Sequence, residues 1–121
     1  MILWQRFEGG VIFFATSIAL WQIGLPLPLW AAALLFFTPD LSFAAYGAGP
    51  RVGAVVYNLL HLYAFGALVA LIGWLTAAPV ALCLGLLWIA HAGFDRVLGY
   101  GLKSSEGFGV THLGRIGRKP A

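Results

Sequence analysis

The segment HAGFDRVLGYGLK, residues 91–103, sets a histidine, an aspartate and an arginine directly after the apolar run APVALCLGLLWIA. His91 and Asp95 are four positions apart, and Asn58 and His61 in YNLLH are three apart. Both spacings put a pair on one face of a helix. Imidazole nitrogens and carboxylate oxygens hold divalent metals such as zinc, and a carboxylate beside them orients a ligand or activates a water. On that chemistry His61, His91 and Asp95 are the candidate ligands, with Asp40 of TPDLS a fourth ligand or a general base. Asn58 and Arg96 complete the catalytic set, Arg96 or Arg51 binding an anionic headgroup. His112, in GVTHLGR, is placed to fold back as a further ligand or as a lid.

Four hydrophobic segments must position these side chains. Of the 121 residues, 61% are hydrophobic and 9% charged, against about a quarter charged in soluble domains. A chain this short cannot hide so much apolar surface from water, which points to an integral membrane protein. The patterning predicts an all-α, antiparallel four-helix bundle with spans at about 3–23, 28–46, 50–75 and 79–100, followed by a basic tail over 102–121. GLPLP, GAGP and LTAAP supply the turns, and Pro39 predicts a kink in the second span beside Asp40.

The connections after the first and third spans carry no charge, whereas Arg51, Lys103, Arg115, Arg118 and Lys119 flank the other side. The positive-inside rule then places both termini in the cytoplasm. At about 1.5 Å per residue, Asn58 lies about 10 Å deep, His61 about 15 Å, Asp95 about 12 Å and His91 about 18 Å, with Asp40 about 9 Å above Tyr46. Glu8, Asp40, Asn58, His61, His91, Asp95 and Arg96 therefore share the cytoplasmic half. Lipid penalises such faces by several kcal/mol, so they turn toward one another.

Several functions compete for this polar half. Glu8, Asp40 and Asp95 could neutralise Arg6, Arg51 and Arg96 in a structural ion-pair network within a non-catalytic bundle. Two histidines on neighbouring helices could ligate haem, although carboxylates suit a haem pocket poorly. A transporter needs repeats or bundle halves that rock against each other, and no repeat is present. A nucleotide-binding reading fails because no glycine-rich turn opens a βαβ unit. Nucleic acid is excluded as a partner, since four of the seven cations lie in the last nineteen residues without interleaved aromatics. Cys83, alone in an apolar run, forms no intramolecular disulfide. MILWQRFEGG fits a signal peptide poorly, so the first segment is expected to stay in the mature protein.

The segments TPDLSFAAYGAGPRVGAVVYNLLH, HAGFDRVLGYGLK and THLGRIGR together resemble the small bacterial membrane family known as domain of unknown function 4260. That likeness implies four transmembrane helices and names no substrate. A fainter similarity, in a PD motif and His/Asp pairs at helix ends, links the chain to membrane-bound metal-dependent hydrolases. The reading that follows is a metal-dependent hydrolase, or similar acid-base enzyme, acting from a cytoplasm-facing pocket on an amphipathic substrate. Its expected partners are membrane lipids, that substrate and, in a homo-oligomer, further copies of the chain.

Overall fold

A computed structural model describes residues 2–104, 107–111 and 114–115. Its body is all-α. Helix α1 spans Ile2–Ile23, α2 Leu29–Phe36, α3 Pro50–Leu60, α4 Tyr63–Leu75 and α5 Pro79–Leu98, with a 3-10 helix over Thr38–Ala48 between α2 and α3.

The second expected span is not one kinked α-helix. The proline ring of Pro39 carries no N–H and clashes with an α-helical preceding turn, so α2 stops at Phe36 and the chain tightens into an eleven-residue 3-10 run. Runs of that type seldom exceed three or four residues. The Thr38 hydroxyl holds the junction by donating to the Leu35 carbonyl at 2.6 Å. Gly49, at φ 111°, ends the 3-10 helix in a conformation that L side chains rarely adopt, and Pro50 starts α3.

The third expected span is also interrupted, and this corrects the continuous helix expected over 50–75. α3 and α4 meet at a 48° bend, where His61 closes the last turn of α3 and Leu62 is extended. Asn58 and His61 thus stand at the end of a short helix, beside the bend. By contrast α5 is unbroken across the site and ends at Gly99, whose left-handed conformation lets Tyr100 N–H reach the Asp95 carbonyl at 2.8 Å.

α5 is the hub, packed by α1 on one side and α4 on the other, with α2 also against it. These approaches depend on missing side chains. A Cβ on Gly85 would sit 2.6 Å from the Gly66 carbonyl oxygen, and one on Gly93 would sit 2.6 Å from that of Gly9. Leu20, Ala32, Cys83 and Leu87 form the apolar core in the half toward the α1–α2 turn. The 3-10 helix packs on α3, as does a small antiparallel sheet in the order β1 (Lys103–Ser104), β2 (Gly107–Thr111), β3 (Gly114–Arg115). The segment expected as a plain tail therefore contains strands.

The stretches Leu29–Ala48 and Pro79–Leu98 are long and apolar enough to cross a membrane, and the bent pair α3 and α4 makes a third if it counts as one span. Large apolar side chains face outward, among them Trp21, Trp30, Trp74 and Leu75, each about 70% exposed or more. That surface suits lipid and is costly in water.

Candidate metal centre

The two breaks in the helices bring their side chains to the unbroken one. Asp40 stands in the first turn of the 3-10 helix, His61 at the α3–α4 bend, and His91 and Asp95 one turn apart on α5. His61 Nε2 lies 3.4 Å from Asp40 Oδ1 and 3.4 Å from Asp95 Oδ2. His91 Nε2 lies 3.1 Å from Asp40 Oδ1 and 3.3 Å from Asp95 Oδ2. The two Nε2 atoms are 3.3 Å apart, and one ligand atom from each of the four residues lies within 4.8 Å of the others. Four such atoms around a tetrahedral ion, with bonds of about 2.0–2.1 Å, stand about 3.3–3.4 Å apart. The cluster can hold a metal ion.

The surroundings orient the imidazoles. His61 Nδ1 is 2.8 Å from the Tyr57 carbonyl, an acceptor only, so Nδ1 carries the proton and Nε2 turns its lone pair to the cluster in the neutral ring. The Tyr57 ring stacks on the same imidazole, centroids 3.8 Å apart and 8° from parallel. Phe36 and Phe37 pack edge-on against His91 at 5.1 and 6.1 Å. Trp88 donates its indole N–H to the Thr38 hydroxyl at 2.8 Å, tying α5 to the junction that carries Asp40.

Exposure divides the four residues. The side chains of His61 and His91 are 1% exposed and that of Asp95 13%, whereas that of Asp40 is 51% exposed. Three candidate ligands are thus enclosed and the fourth stands at the open side.

The remaining sequence candidates fall elsewhere. Asn58 lies half-buried one turn before His61, with interactions of its own, and the four-residue cluster forms without it. Arg96 is buried, its guanidinium 5.1 Å from the centre of the Tyr63 ring. Its Nε finds no acceptor among the described residues. Arg6 donates to the Val97 carbonyl at 2.8 Å, and Glu8 and Arg51 are exposed. The expected pairing of acids with arginines is not what forms among the described residues: Asp40 and Asp95 pair with the histidines. His112 lies outside the described residues.

Sequence reasoning missed Tyr57, Thr38 and Trp88. Tyr57 is four residues before His61, and that spacing was a usable signal for a backbone carbonyl under a terminal histidine. The Trp88–Thr38 contact joins residues 50 positions apart and leaves no local trace.

The fold and the site together define a helical protein with candidate membrane spans and an Asp/His cluster able to hold a metal. Residues 2–116 match the family described as domain of unknown function DUF4260, and the chain belongs to that family. No curated protein matches the chain. No solved structure matches it either.

Proposed function

We propose that the protein is a zinc-dependent hydrolase embedded in the bacterial inner membrane, with four spans, both termini in the cytoplasm and its polar site opening to that side. The observation that carries this reading is the set of five near-equal separations, 3.1–3.4 Å, among the ligand atoms of Asp40, His61, His91 and Asp95. A ring N–H can point at one acceptor only. Here each Nε2 stands almost equally far from two carboxylates and the other imidazole, which suits atoms arranged around a common centre better than separate hydrogen bonds.

A zinc ion held there would polarise a carbonyl or phosphoryl oxygen and lower the pKa of a coordinated water toward neutrality. His61, His91 and Asp95, being enclosed, are the ligands. Asp40, at the open side, would give up the fourth position to a water and serve as its general base. Arg51, exposed in the first turn of α3, or Arg96 beneath Tyr63, receives an anionic headgroup. The 3.3 Å gap between the Nε2 atoms favours this reading over axial ligation of a haem.

The second reading is a non-catalytic bundle in which the same side chains only tie the helices together. It is favoured by the same contacts, which lie within ion-pair range if the histidines are protonated. Elemental analysis of the detergent-purified full chain separates the two. The enzyme reading expects one zinc per chain, lost in His61→Ala and His91→Ala. It is overturned by absence of stoichiometric metal after equilibration with zinc, together with histidine variants that lose thermal stability and no cellular function.

A further inference from the structure

A groove of about 380 Å³ runs between α1, α2 and α5. Phe13, Leu20, Leu29, Ala33 and Leu87 contribute to its walls, with Ser17 the one hydroxyl, and Leu25 of the α1–α2 turn lies at its far end. Its near end lies against residues that pack on the metal centre. Phe36 and Phe37 line it while their rings pack against the His91 imidazole, and Ala90, also in its wall, immediately precedes His91. Between Leu29 and Phe37 the helical rise gives a length of about 12 Å.

We infer that this groove is the subsite for a single alkyl chain of the substrate, whose reacting headgroup lies at the Asp40, His61, His91 and Asp95 cluster. The inference rests on the metal-centre reading above and names its substrate class: a single-chain acyl amphiphile. Two features support that occupant. The groove lies between three helices and reaches the two phenylalanines packed on His91, and its polarity is one-sided, with apolar walls along its length and the polar cluster beyond those phenylalanines at one end. An amphiphile has the same polarity. A chain seated in the groove brings the first carbons beyond its headgroup to Phe36 and Phe37, and fixes the headgroup by the register of its tail. Binding energy from that remote part can then position the reacting bond.

Cobalt-loaded full-length protein in detergent, titrated with alkyl hydroxamates from acetohydroxamate to decanohydroxamate, provides the test. The visible absorption of the cobalt reports the chelating head. Affinity should rise with chain length in the natural protein. In Ala33→Trp, which fills the groove wall, decanohydroxamate should bind about tenfold more weakly, equivalent to about 1.4 kcal/mol, while acetohydroxamate binds equally well. Ala33→Leu should give a smaller loss in the same direction, and it decides the matter if the tryptophan variant does not fold. Partition into the micelle favours long chains equally in all the proteins, so equal chain-length dependence in natural and variant proteins overturns the groove and assigns it to bulk lipid. No rise with chain length in the natural protein overturns it too. Failure to bind cobalt, or a cobalt spectrum indifferent to acetohydroxamate, overturns the metal reading and this inference with it.

Discussion

At the residue scale the four cluster members are not equivalent. His61, His91 and Asp95 are shielded, and Asp40 is half open to the outside. Asp95→Asn should therefore lower zinc affinity steeply, read by chelator competition, because a charged ligand is lost from an enclosed position. Asp40→Asn should keep the metal and abolish turnover of an acyl-ester amphiphile in mixed micelles. Loss of the metal in Asp40→Asn would make Asp40 a structural ligand and the site closed. Tyr57 acts through His61, so Tyr57→Ala, which removes the stacked ring while leaving the backbone carbonyl, should weaken zinc binding about 10- to 100-fold, as outer partners of metal ligands generally do. Tyr57→Phe should restore most of it, since the ring face does the packing.

At the scale of elements, the site exists because two helices break beside one that does not. The α2 junction is held by the Trp88–Thr38 hydrogen bond and the Thr38–Leu35 bond behind it. Trp88→Phe keeps the ring stacked on Phe65 and removes only the donor. It should cost about 1 kcal/mol in thermal or denaturant unfolding and lower turnover through a looser Asp40; an unchanged turnover would show that the junction holds Asp40 without it. Along the α4–α5 contact the limit is space. Gly66→Leu would push against Ile89 and the Gly85 carbonyl, 2.8 and 2.9 Å from the added Cβ, and should destabilise the helix pair by about 1–3 kcal/mol or more. A melting temperature equal to that of the natural protein would mean that the helices do not pack as described.

At the scale of the whole molecule, the proposed topology of four spans with both termini in the cytoplasm predicts that reporter fusions at either end are active only as cytoplasmic reporters, and that the α1–α2 and α4–α5 turns are labelled from outside. A reporter at either terminus found on the outer face would reverse the topology and the direction in which the site opens. The all-α body, its apolar outer surface and the family were legible from composition, periodicity and the PDLS, YNLLH and HAGFDR segments, because hydropathy and helical spacing are local properties of a chain. Depth counting also put Asp40, His61, His91 and Asp95 at compatible levels, since rise per residue is nearly constant within a helix. Counting cannot show which way a side chain turns or where a helix yields. It grouped Glu8, Asn58 and Arg96 with the same cluster, and it treated 50–75 as one rod. The tertiary structure decided that the rod bends at His61, that Pro39 changes the type of helix, and that Arg96 goes to Tyr63 while Asp40 and Asp95 go to the histidines. The physical reason is that these outcomes depend on competition among distant partners packed around α5: a missing Cβ at Gly85, an indole donor at Trp88 and the ring of Tyr57 fix geometries that no single segment encodes.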